Sequence, residues 1–103
     1  MKSKLCILEG HRLGKVEQVE DYVQLVFDEG IRLNIYSNFT ISGEHNLTDF
    51  AGKTIRTITE VFVKPECVVF TFEDESRLHI DLSEPDPEAM ELHVPGESIV
   101  VWN

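Results

Sequence analysis

The chain has 103 residues, 42% hydrophobic and 9% aromatic, with 19 acidic against nine basic side chains and a formal net charge of −10. That length fits one domain (residues 1–103) able to bury roughly two thirds of the surface of its unfolded form without disulfides or metal, and the apolar content excludes a disordered chain. The charge excludes nucleic acid as a natural partner, because phosphate is held mainly by lysine and arginine, and no run approaches the ~20 apolar residues that span a bilayer.

The charge is also unevenly placed. Residues 60–103 carry eleven acids against Lys64 and Arg77, whereas residues 1–59 hold eight acids and seven bases. A one-sided negative field of this kind recruits cationic partners and speeds their encounter.

Met1 to Leu8 contains Lys2, Lys4 and a short apolar patch that ends at Glu9, too short for a secretory apolar region, so a cytoplasmic location is expected. Cys6 and Cys67 are then expected as reduced, buried thiols and not as a disulfide.

Gly14-Lys15 opens a first unit in which Val16 to Val19 reads as a strand. Val23, Leu25 and Phe27 alternate, Asp28-Glu29-Gly30 forms a turn, and Ile31, Leu33 and Ile35 alternate again. Period two on both sides of a turn is the signature of a β-hairpin. Gly52-Lys53 then opens a second unit, with a strand across Thr54 to Val63. Phe27 to Ile35 and Phe72 to Ile80 align without gaps 45 residues apart, so the same hairpin occurs twice, the second with Val68, Phe70 and Phe72 before the turn and Leu78, Ile80 and Leu82 after it. The units span about residues 14–41 and 52–82, and each reads as a three-strand meander.

Pro85 and Pro87 remove backbone donors among three acids, so residues 83–88 read as a loop. Pro95-Gly96 then turns a last hairpin within residues 90–102. Helix signals are confined to a turn or so around Leu47 to Phe50 and Pro87 to Met90. The expected fold is all-β, a β-sandwich or partly open barrel of about eight antiparallel strands built from two repeated units. Val23, Leu25, Phe27, Leu33, Ile35, Val68, Phe70, Phe72, Leu78 and Ile80 should face inward, and Gln24, Arg32, Asn34, Arg77, His79 and Asp81 outward.

No catalytic set emerges. His11, His45, His79 and His93 are isolated in sequence, with no zinc spacing. His79 and Asp81 read as a solvent-facing stripe, and Gly52-Lys53-Thr54 lacks the preceding glycine and following helix of a phosphate loop. Asp28-Glu29 and Glu73 to Glu75 are too short for a calcium loop. No catalytic residue, no metal ligand and no cofactor is expected, and the chain is not expected to be an enzyme.

Between Glu73 and Glu91 the chain carries eight acids and one base. Glu73, Asp74, Glu75, Asp81, Glu84, Asp86, Glu88 and Glu91 are therefore the expected partner-binding residues, with the prolines stiffening the loop that presents some of them.

Leu8-Glu9-Gly10, Val19 to Gly30, Leu33-Asn34-Ile35 and Phe39-Thr40-Ile41, covering residues 8–41, resemble the pattern of short bacterial all-β proteins of unassigned function. In size, acidity and absence of active-site residues the chain is also similar to the cytoplasmic immunity proteins of contact-dependent and polymorphic toxin systems. That resemblance, which carries over no residues, implies that the chain binds and occludes a cognate toxin domain, a basic protein such as a ribonuclease. The alternative is a generic ligand-binding or protein-binding β module without catalysis.

Overall fold

A computed structural model describes residues 4–64, 66–83 and 89–102. Among them, nine strands form two antiparallel sheets: β1 (Leu13–Val19), β2 (Tyr22–Phe27), β3 (Arg32–Ile35), β4 (Phe39–Ser42), β5 (Ile55–Val61), β6 (Cys67–Phe72), β7 (Arg77–Asp81), β8 (Met90–His93) and β9 (Val100–Trp102). One sheet runs β1-β2-β3-β8-β9 and the other β4-β7-β6-β5. The fold is all-β, as the alternation implies, and no pairing closes it into a barrel. The helix signal at Leu47–Phe50 becomes a single 3-10 turn, and a second one covers Lys4–Leu8.

The ten residues expected inward are all buried, each at most 3% exposed, and they form one core with Leu5, Leu8, Leu13, Phe50, Ile55, Met90 and Leu92. Among the outward set Asn34 is the exception at 6% exposure. It does face away from the core, but Gln24, Glu91 and His93 close over it from the neighbouring strands. The strand expected across Thr54 to Val63 ends at Val61, so Phe62 and Val63 leave the sheet and are exposed.

The duplication extends well beyond the two hairpins. Both first strands carry a bulge, between Leu13 and Lys15 and between Ile55 and Thr57, positions 42 residues apart. The 3-10 turn of each half packs on the first strand of the other, Lys4–Leu8 on β5 and Leu47–Phe50 on β1. Leu13 N donates to Lys53 O (2.8 Å) and Ile55 N to His11 O (3.0 Å), a pair exchanged by the same 42-residue shift. The isolated bridge between Arg12 and Thr54 sits at the centre of this exchange, so it marks a pseudo-twofold axis that joins β1 of one sheet to β5 of the other.

The fourth strands are swapped between the halves. The meanders β1-β2-β3 and β5-β6-β7 form as expected, but β4, at the end of the first unit, crosses over to pair with β7. Reciprocally, β8 leaves the second unit and pairs with β3. The registers match, Phe39 opposite Ile80 and Met90 opposite Ile35, and so do the crossover contacts, Asp81 N to Asn38 O (2.9 Å) and Tyr36 N to Ala89 O (2.9 Å). Neither sheet is complete without the other half.

Phe27→Ala and Phe72→Ala should each destabilise the protein by about 3 to 5 kcal/mol in denaturant unfolding, since both rings lie in the core and Phe72 also packs edge-on against Phe50 at 5.0 Å. Fragments 1–45 and 46–103 should each give a disordered circular dichroism spectrum alone and regain strand signal when mixed. A folded 1–45 fragment would contradict the strand exchange.

Candidate functional site

A duplicated chain carries an internal control: positions that keep the symmetry serve the fold, and positions that break it call for another explanation. Three breaks stand out. First, β1 and β2 are joined by two residues, Glu20 and Asp21, while the chain has five between Val61 and Cys67. Within that longer connection Phe62 is 73% and Val63 79% exposed. Secondly, three residues join β3 to β4, but eight separate β7 from β8, among them Glu84, Asp86 and Glu88.

The third break is a cavity. An open hollow of about 310 Å³ on the outer side of the four-stranded sheet is lined by Thr40, Glu66, Cys67, His79, Asp81 and Ser83, with Asn38 and Phe39 at its edge. Cys67 and Asp81 lie directly opposite each other in register, as do Val69 and His79. The equivalents of Cys67 and Asp81 in the first half are Tyr22 and Tyr36, whose rings meet at 5.0 Å. Beside that pair Tyr36 OH donates to Glu91 Oε1 (3.0 Å), Gln24 Nε2 donates to Asn34 Oδ1 (2.9 Å), and His93 Nε2 lies 3.1 Å from Glu91 Oε1. One half covers this position with tyrosines and a cross-strand network, and the other leaves it open.

All three breaks fall at one end of one sheet, where β6 begins and β7 ends. Among the described residues two buried side-chain oxygens lack a hydrogen-bond partner, Ser37 Oγ and Glu60 Oε1. Glu60 is two residues before Phe62, and Ser37 adjoins the cavity-lining Asn38. Buried acceptors without donors are uncommon, and two of them border this region in sequence.

The acids expected to bind a partner are dispersed. Glu73, Asp74 and Glu75 form the β6–β7 turn, Asp81 lies at the opposite end of β7, and Glu91 belongs to the other sheet. Glu84, Asp86 and Glu88 lie outside the described residues. Asp74 is engaged by Lys53 and by Ser76, and Glu75 meets Arg56 at 2.6 Å. Lys53 also reaches Glu44 at 2.5 Å and lies over the Phe50 ring. The bases that looked separate from the acids in sequence are brought to them because β5 pairs with β6. Glu66, absent from the expected set, lines the cavity beside Asp81.

His79 and Asp81 share the cavity, and among the described residues no hydrogen bond joins them; Asp81 instead accepts from Ser83 N (2.8 Å) and Ser83 Oγ (2.6 Å). Sequence spacing missed a different cluster, in which His11 Nδ1 stands 2.5 Å from Asp28 Oδ1 and 3.5 Å from a Glu29 oxygen. Three potential ligand atoms there lie within 4.8 Å of one another. Lys53 occupies the position of His11 in the second half and Asp74 that of Glu29, so each half sets a nitrogen cation-former against its hairpin turn. The only signal in sequence was the shared 42-residue spacing of His11 and Lys53. Cys6 and Cys67 are free, and both are half-buried, not fully buried.

Comparison of the chain with protein-family models, curated proteins and solved structures finds no match. Among the described residues no helix is long and apolar enough to cross a membrane.

Several carboxyls are held below their ordinary range by donors in the folded state: Asp74, strongly, by Lys53 and then Ser76, Asp81 by Ser83, and Glu91 by His93 and then Tyr36. A carboxyl with a depressed native pKa stabilises the fold above its unfolded pKa of about 4, and loses that contribution as the pH falls through the native value. Asp74→Asn should therefore lower Tm at pH 6, and the gap to wild type should narrow progressively as the pH falls from about 4 to about 2. Parallel Tm curves across that interval would show that the Lys53 pairing contributes nothing.

Proposed function

We propose that this chain acts by binding and not by catalysis, as an acidic immunity-type protein that holds a cognate basic toxin domain in the cytoplasm and covers its active site; a ribonuclease domain fits that chemistry. The observation that carries the reading is the meeting of the three symmetry breaks at one end of the four-stranded sheet. An exposed aromatic beside an exposed valine supplies the apolar anchor that interfaces place near their centre. Glu66, in the same connection, lines the cavity with Asp81, and the run containing Glu84, Asp86 and Glu88 follows Ser83 in sequence. Acids around an apolar anchor favour a basic partner and raise its association rate. This surface keeps the acidic logic of the sequence but moves its centre from the Glu73 to Glu75 turn, whose Asp74 and Glu75 are occupied by Lys53 and Arg56, to Glu66 and Asp81.

A second reading, a small-ligand module, is favoured by the cavity itself, whose volume of about 310 Å³ lies at the lower end of the range of ligand pockets.

The test is association with the purified basic domain encoded beside this chain's gene, measured at low and high salt. Glu66→Lys combined with Asp86→Lys should slow association about tenfold at low salt and flatten its salt dependence. Phe62→Ala should mainly speed dissociation. Glu20→Lys with Asp21→Lys, in the symmetry-related β1–β2 turn, should leave both rates near wild type. Equal effects from the two charge reversals would defeat the proposal. Reversal of Asp74 and Glu75 is a poor probe because it breaks internal ion pairs.

A further inference from the structure

The two sheets differ by one strand. In the five-stranded sheet β9 covers the outer edge of β8, with Met90 opposite Trp102 and Leu92 opposite Val100. The pseudo-symmetric edge belongs to β4, which is the last strand of its sheet. The consequence shows in the core: Met90 and Leu92 are each 0% exposed, whereas their counterparts Phe39 and Ile41 are only partly buried although they pack on the same core. Ladder bonds alternate along an antiparallel strand, and Asn38 O accepts from Asp81 N, so the backbone groups of Thr40 and Ser42 face β7 and those of Phe39 and Ile41 face away. Among the described residues those outward N–H and C=O groups have no partner. An uncovered edge of this kind templates another strand.

We propose that the β4 edge accepts an extended segment of the basic partner as a tenth strand, antiparallel to β4 and placed as β9 is on β8. The inference rests on the binding function proposed above and adds how the partner is held. Charge selects the occupant. The added strand runs along Asn38, Phe39 and Thr40, which border the cavity holding Glu66 and Asp81, so lysines on its outer side approach these acids while apolar residues on its inner side cover Phe39 and Ile41. A second copy of this chain would bring another net charge of −10 to the same edge, which disfavours self-pairing. A segment with alternating basic and apolar residues meets both faces.

The probe is a capped ten-residue peptide of alternating lysine and valine, added to the full chain labelled with nitrogen-15. Binding should slow hydrogen exchange of the Phe39 and Ile41 amides at least tenfold and leave the Thr40 and Ser42 amides, already bonded to β7, unchanged. A fully N-methylated copy of the peptide should not bind, a control that leaves the protein unaltered. Ile41→Pro, which removes an outward donor from an edge strand, should weaken binding at least tenfold, with retention of the native amide spectrum as the check on folding. Binding without protection of Phe39 and Ile41, equal binding of the N-methylated peptide, or no binding overturns the added strand. So does protection of these amides in the free protein together with a dimer in sedimentation. If Phe62→Ala weakens binding of the toxin domain while Phe39 and Ile41 stay unprotected in that complex, the strand fails and the binding function stands; if neither peptide nor basic domain binds, both fall.

Discussion

Four backbone hydrogen bonds around Arg12 and Thr54 hold the two sheets in one fold. Leu13 N to Lys53 O and Ile55 N to His11 O form one exchanged pair, and Gly10 N to Ile55 O (2.8 Å) with Gly52 N to Leu13 O (2.6 Å) form a second. Gly10 and Gly52 adopt φ of +86° and +94°, a region L side chains avoid, so glycine is required there for each chain segment to turn back into its bond. Just beyond, Leu13 and Ile55 are fully buried and lead into the bulges that twist β1 and β5 away from the axis. The relative placement of the sheets, and with it the shape of the core between them, follows from this junction.

Strand exchange adds the second constraint. Because β4 and β8 each complete the other half's sheet, burial of Leu33 and Ile35 depends on residues from the far end of the chain, and burial of Leu78 and Ile80 on residues from the first half. Such long-range pairing ties the halves into one cooperative unit and slows folding relative to local hairpins. It also redistributes charge. Asp74 and Glu75 belong to the acidic half of the sequence, yet β5 and the residues just before it deliver Arg56 and Lys53 to them, so two of the eleven acids of that half are paired internally.

The sequence made the hairpins legible because a half-buried antiparallel strand writes its two faces as period two, and each of the ten residues read as inward is buried. The repeat was visible only where both copies keep their length: the gapless match begins in the second strand of each half, and the first strands follow a different, 42-residue spacing because three extra residues lie before Cys67. The swap of β4 and β8 leaves no local mark, since Phe39 to Ser42 pairs equally well by pattern with either half. Site residues were harder still. Acid count along the chain ranks Glu73 to Glu75 highest, but whether an acid is available depends on what the neighbouring strand brings, and Lys53 and Arg56 come from 19 to 21 residues away. Glu66, a single acid, gains weight only from its place beside Asp81 on the cavity wall.

The contrast between the two halves is sharpest at the pair of positions occupied by Tyr22 and Tyr36 in one and by Cys67 and Asp81 in the other. Backbone geometry there is the same, as the matched crossover bonds of Tyr36 and Asp81 require. Packing alone therefore favours repeating the first solution, in which aromatic rings cover the sheet and the Glu91 carboxylate is satisfied by Tyr36 and His93. The second half instead keeps a thiol and a carboxylate around an open hollow, exposes Phe62 and Val63, and leaves a buried Glu60 oxygen without a donor among the described residues. At Cys67 and Asp81 this forgoes the aromatic packing that the same fold makes 45 residues earlier, and an uncompensated buried acceptor such as the Glu60 oxygen is unfavourable by about 1 to 3 kcal/mol. Packing given up at one end of one sheet, and kept at its symmetry mate, supports the binding surface proposed above, on which a partner would supply the missing donors and apolar cover.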